Sequence, residues 1–161
     1  MTIMLAPNFS LAELVFSENA ARLGIDNTPP PEALHNLKRL GPLLQDVRDL
    51  VNMRAPSGTR YIMSTSSGYR NPEVNRLAHG SSRSAHLSGR AWDGMSWSYG
   101  TPTDLAELIA GSSLPFDKVI EEYGHWVHIQ IAKEGQTPRR MVLHAIRNAA
   151  GKTQYLHGLP G

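Results

Sequence analysis

Ser81-Ser-Arg-Ser-Ala-His86-Leu-Ser-Gly-Arg-Ala-Trp-Asp93, answered thirty-five residues after that aspartate by His128 within His125-Trp-Val-His128-Ile-Gln130, is the pairing on which the reading of this chain turns. His86, Asp93 and His128 offer two imidazoles and one carboxylate, a three-ligand set suited to zinc. A structural zinc site closes its tetrahedron with four protein ligands rich in thiolate, whereas a catalytic one keeps the fourth position for water or substrate. The chain contains no cysteine. A metal held here therefore takes an open, hydrolytic geometry with nitrogen and oxygen donors.

His86 and Asp93 stand seven apart with Gly89 between them, a spacing that neither helix nor strand periodicity demands but that a loop folding back into a strand brings together. That pair alone does not separate metal ligands from a surface pair. His128 adds weight, because a histidine in a short apolar strand needs a hydrogen bond or a metal. Alternation along that strand puts Trp126, His128 and Gln130 on one face and His125, Val127, Ile129 and Ile131 on the other. His125 and His128 then do not chelate together, and His-x-x-His here is not a helical zinc motif.

Working outward, Lys118 to Glu122, a turn at Tyr123-Gly124 and Trp126 to Ala132 predict a hairpin, with a further strand at Arg140 to Ile146. Tyr61 to Ser66 predicts a strand leading to Gly68-Tyr-Arg70-Asn-Pro72, and Thr103 to Ala110 a helix with Leu105, Leu108 and Ile109 inward. Ser10-Leu-Ala-Glu13 reads as a capping box, so a first helix begins at Leu11 and ends near Gly24. Thr28-Pro-Pro-Pro-Glu32 opens a longer helix with Leu34, Leu37, Leu40, Leu44, Val47 and Val51 facing the core. Gly41-Pro42 predicts a kink or break in it. The expected fold class is α+β: a small antiparallel sheet carrying the metal site, packed against N-terminal helices.

At 161 residues, residues 1–161 are expected to form one domain with a loosely held tail over 150–161. Charged residues are 19% and apolar ones 40%, which argues against disorder. The net charge is +2 and the pI about 9.1, yet the basic residues are scattered, so nucleic acid is not an expected partner. The opening residues lack the basic cap and apolar run of a signal peptide, and no stretch approaches the ~20 apolar residues of a membrane helix. The expectation is a monomer made in the cytoplasm without membrane insertion. Arg83 and Arg90 could meet substrate carboxylates or be simply solvated. Trp92 and Trp97 could wall a cleft or pack in the core, while His35, His79, His144 and His157 have no partner at metal spacing.

Ser67-Gly-Tyr-Arg70, Ser84-Ala-His86, Gly89-Arg-Ala-Trp-Asp93 and Trp126-Val-His128 resemble, in order and approximate spacing, the four signature blocks of the zinc D-alanyl-D-alanine metallopeptidases. That fold is shared by phage L-alanyl-D-glutamate endolysins, vancomycin-resistance dipeptidases and the hedgehog signalling domain. Phe9-Ser-Leu-Ala-Glu-Leu14 and Gly24-Ile-Asp-Asn27 look like the single-domain phage and prophage branch. The resemblance implies His86, Asp93 and His128 as zinc ligands, Arg70 as the group that binds and polarises substrate, and Ser84 as a substrate neighbour. Many members carry an acidic residue three positions before the last ligand, where this chain has His125. Relatives of the phage and hedgehog type place a glutamate six positions before it, which is Glu122 here. Glu122 is the expected general base, with His125 as an acid, an oxyanion donor or a bystander. The implied substrate is the peptide stem of peptidoglycan, cut by an endolysin acting on the wall after membrane permeabilisation. A bacterial D,D-carboxypeptidase and a non-catalytic zinc-stabilised binding domain are the alternatives.

Overall fold

The computed structural model describes residues 1–161. Its frame is a six-stranded sheet, made of β3 (Ser64–Ser67), β4 (Ala91–Met95), β5 (Lys118–Glu122), β6 (Trp126–Gln130), β7 (Met141–Arg147) and β8 (Thr153–His157), in the spatial order β3-β4-β6-β5-β7-β8. All neighbours are antiparallel except β5 and β7, which run parallel. A separate two-stranded ribbon joins β1 (Met4–Ala6) to β2 (Phe9–Ser10). Five helices complete the α+β fold: α1 (Leu11–Val15), α2 (Glu18–Leu23), α3 (Pro31–Asn52), α4 (Pro72–Leu77) and α5 (Pro102–Ala110).

One face of the sheet is dry. Trp92 of β4, Val119 of β5 and Val127 and Ile129 of β6 pack with Leu37, Leu40, Leu44, Val47 and Val51 of α3 and with Leu105 and Ile109 of α5. Each such aliphatic side chain taken out of water contributes about 1.5–3 kcal/mol. The three- and four-residue spacing along α3 makes this stripe, and Leu34 lies at its half-buried margin. Strand alternation then turns the opposite set outward: Lys118, Ile120 and Glu122 on β5, Trp126, His128 and Gln130 on β6, and Thr153, Tyr155 and His157 on β8 all line one cleft.

The first predicted helix is divided. Ser17 accepts from the Ala20 amide and starts α2 anew, after α1 has ended at Val15. Gly24 closes α2 in the left-handed region at φ 65°. The capping box at Ser10 is half made: its hydroxyl accepts from the Glu13 amide, but the Glu13 carboxylate accepts from Thr65 Oγ1 at 2.5 Å instead of reaching back. At Thr101 and Asp104 both halves of a capping box form.

The predicted break at Gly41-Pro42 is absent, and α3 runs from Pro31 to Asn52. Pro42 is exposed and Lys38 beside it is too, so the carbonyl that proline leaves without an amide partner faces water. The tail also departs from expectation. Residues 153–157 form β8, in register with β7 from Leu143↔His157 to Arg147↔Thr153. A turn at Asn148 to Gly151, with the Asn148 side chain accepting from the Ala150 and Lys152 amides, sends the chain back onto the sheet.

Candidate metal centre and its cleft

The loop between β3 and β4 delivers the first histidine. Ser84 accepts from the His86 amide at 3.3 Å and opens a single 3-10 turn, Ala85–Ser88. Gly89 ends that turn at φ 69°, where a Cβ would lie 2.4 Å from the Ala33 carbonyl oxygen of α3. The chain then enters β4 and presents Asp93. Asp93 pairs in register with His128 of β6, so both side chains leave the same face of adjacent strands.

The side chains of His86, Asp93 and His128 are buried, and one ligand atom from each lies within 4.8 Å of the others. His86 Nδ1 sits 2.6 Å from the Gly68 carbonyl oxygen. A carbonyl only accepts, so Nδ1 carries the hydrogen and Nε2 keeps its lone pair. Nε2 lies 3.0 Å from Asp93 Oδ2 and makes no hydrogen bond. Two acceptors facing each other in a buried site call for a cation between them. The donor set of two imidazoles and a carboxylate fits zinc, with a position left for water or substrate. Burial acts against a charged His86 and lowers its pKa. Burial alone would raise Asp93, but the two histidines beside it outweigh that and hold its carboxyl well below the usual range. For His128, burial is overcome by the hydrogen bond and charge of Asp93, and its pKa is raised.

A chain of supports behind His128 has no signal in local sequence. His128 Nδ1 is 2.8 Å from Asp93 Oδ1, while Nε2 lies 3.5 Å from Gln130 Oε1. The Gln130 amide donates to Asp117 Oδ2 at 3.0 Å, which fixes its orientation, and Arg139 Nε donates to Asp117 Oδ1 at 2.9 Å. Such outer partners set which ring nitrogen is free for a metal. Gly68 supplies the matching support for His86. A Cβ there would fall 2.1 Å from the Leu14 carbonyl, so only glycine lets α1 close over this loop. Asn27 fastens the same region by donating to Val15 O and Tyr69 O and accepting from the Asn71 amide.

The cleft has a volume of about 1270 Å³. Arg70 enters it from the loop after β3, donating through Nη2 to Asp93 Oδ2 at 3.2 Å, with its Nε buried and unpartnered. Ser84 lies on its wall. Glu122 reaches it from the end of β5, and burial, followed by the charge of Asp93, pushes its carboxyl up to about 7. Neighbouring Glu121 points to the other face, buried, where Oε1 accepts from the Gly124 amide. Adjacent Glu121 and Glu122 are thus one structural and one cleft carboxylate.

His125 is not brought to the cleft. The Tyr123-Gly124 turn takes positive φ at both residues, 58° and 70°, and leaves His125 exposed, stacked on Trp126 with ring centroids 6.3 Å apart. Trp92 is fully buried in the core with Nε1 donating to Thr65, and Trp97 is exposed. His35 meets Glu134 at 3.0 Å, and His144 Nδ1 lies 2.9 Å from Gly158 O. His79 and His157 stand on the cleft lining. Tyr155 of β8, unremarked in the sequence, lines it too.

A family model described as Peptidase M15 matches residues 7–130. The match includes Arg70, Ser84, Glu122 and the three clustered residues and stops short of β7 and β8. No curated protein matches the chain.

Proposed function

This chain belongs to the Peptidase M15 family of zinc metallopeptidases, and from that premise we propose that it is an endolysin-type peptidoglycan hydrolase cutting the L-alanyl-D-glutamate amide of the wall peptide stem. The observation that carries the reading is the placement of Glu122, a half-buried carboxylate in the same cleft as the buried His86, Asp93 and His128. The four sequence blocks that resemble the wall peptidases support the substrate class.

Zinc held by His86, Asp93 and His128 would supply Lewis acidity for a scissile carbonyl and would lower the pKa of a water towards ~7. Glu122 takes the proton of the attacking water and returns it to the leaving amine, a task suited to a carboxylate positioned in the cleft. Arg70 offers a permanently charged planar fork to the carbonyl oxygen or to a nearby substrate carboxylate. Ser84 lines the wall where the peptide backbone passes. The open cleft admits an extended peptide, and its attack needs no covalent intermediate. Under this reading the protein works at the cell wall after membrane permeabilisation. No helix is long and apolar enough to cross a membrane.

The test is mass spectrometry of fragments released from purified Gram-negative sacculi by zinc-loaded protein, with a chelated sample alongside. New alanyl carboxylates and glutamyl amines that disappear on chelation are expected. Release of terminal D-alanine instead identifies a D,D-carboxypeptidase, and no fragments in either sample reject the wall as substrate.

A further inference from the structure

Beside the cleft, and sharing Arg83, Ala85, Lys118 and Gln130 with it, lies a smaller recess of about 330 Å³. Five basic side chains line it, Arg83, Arg90, Lys118, Lys133 and Arg139, against one acidic side chain, Asp117. Arg139 is already committed to Asp117. None of the other four makes an ion pair. The recess therefore gathers an excess of four positive charges in a protein whose net charge is +2. Arg90 is tethered through Nε to Ser88 Oγ and through Nη1 to Ile131 O, which holds its guanidinium in place.

Strand register fixes where this charge lies relative to the chemistry. Ile120 pairs with His128 and Lys118 pairs with Gln130, so the recess begins one pleat along β5 and β6 from the candidate metal ligand. That step is about 7 Å, the rise of two strand residues. An extended substrate with its amide at His128 places the group one or two residues away over Lys118 and Gln130.

We propose that this recess is an anionic subsite that binds a substrate carboxylate within one or two residues of the cleaved bond. The proposal deepens the functional reading above and rests on it for the identity of that carboxylate. In a stem peptide whose D-glutamyl residue is linked onward through its γ-carboxyl, the free α-carboxylate is borne by the residue that supplies the scissile nitrogen, and so lies within one residue of the cleaved bond. Arg83, Lys118 and Lys133 supply charge-assisted hydrogen bonds to it, and tethered Arg90 supplies a fixed one.

The test uses the full-length, zinc-loaded Glu122→Gln variant, so that binding is read without turnover. Fluorescein-labelled L-Ala-γ-D-Glu-L-Lys with its C-terminal carboxyl blocked as an amide is compared by anisotropy with the same peptide carrying a glutamyl α-amide as well. The free carboxylate should bind about tenfold tighter, the worth of one charge-assisted contact. Adding Arg83→Glu and Lys133→Glu, both at exposed positions, should remove that preference while the amidated peptide still binds. Equal affinity for the two peptides, no binding of either, or a preference that survives the double charge reversal overturns the assignment. Cleavage by the parent protein is scored separately: a retained carboxylate preference without cleavage upholds the subsite and rejects the stem-peptide reading.

Discussion

Two walls of the same cleft are built on opposite physical plans. On one side, β4 and β6 lie inside the sheet, with all five residues of β4 and four of the five in β6 buried. Asp93 and His128 leave these strands already oriented by Gln130, Asp117 and their own register. On the other side, β8 is an edge strand on which only Leu156 is even half-buried, and it offers Thr153, Tyr155 and His157 to the cleft from a scaffold with little behind it. Groups placed to hold a metal stand where packing over-determines them, and the cleft-lining groups of β8 stand where exchange is cheap. The family match follows the same line, covering the first wall and not the second.

The harshest way to break this contrast is to remove a ligand. His86→Ala should abolish stoichiometric zinc and all hydrolysis, measured by metal analysis and peptide cleavage, because the open site has no spare ligand. Glu122→Gln should keep zinc and lower kcat by about 10²–10⁴-fold, the usual worth of a positioned base. The pH profile gives the sign. Glu122 must be ionised to accept a proton, and burial and Asp93 push its pKa up to about 7. Activity should therefore rise with pH through that limb, which bound zinc moves to lower pH by favouring the carboxylate. Glu122→Gln should lose the limb, and a limb that persists in it assigns the base elsewhere.

Trp92→Ala tests whether the dry face holds the first wall in place. It should cost about 3–5 kcal/mol in denaturant unfolding, since the ring is fully buried under β4. The gentlest change sharpens the other side. Tyr155→Ala should shift stability by no more than about 0.5 kcal/mol while raising KM about fivefold through lost substrate contact. A large loss of stability there would show that β8 is structural after all.

Legibility divides along similar lines. The bounds of β5 are those read from sequence, because the strand pattern ends at a turn that demands Tyr123-Gly124. The site triad was visible as a resemblance, and strand alternation placed His128 and Gln130 on one face. What local pattern could not show was which distant group completes each contact. Glu13 had a nearby backbone amide to cap and chose Thr65 instead. Asn71-Pro72, which the sequence places only after a strand, are the cap and first residue of α4. Gly41-Pro42 predicts an interruption of α3 because proline removes an amide, and the helix continues because the Lys38 carbonyl left over is on its exposed side. β8 is too polar to stand out as a strand, and only its pairing with β7 defines it.

The pairing of Asp93 with His128 also makes the centre a digital device. A strand slipped by one residue turns every side chain to the opposite face. In that state Trp92 and Ile129, themselves a register pair, would stand in the cleft, and the carboxylate and imidazole would be driven into the core. No intermediate slip offers a weaker version of the site. Metal uptake during refolding should therefore act as a proofreading signal, silent until β4 and β6 have found the one alignment that buries the tryptophan.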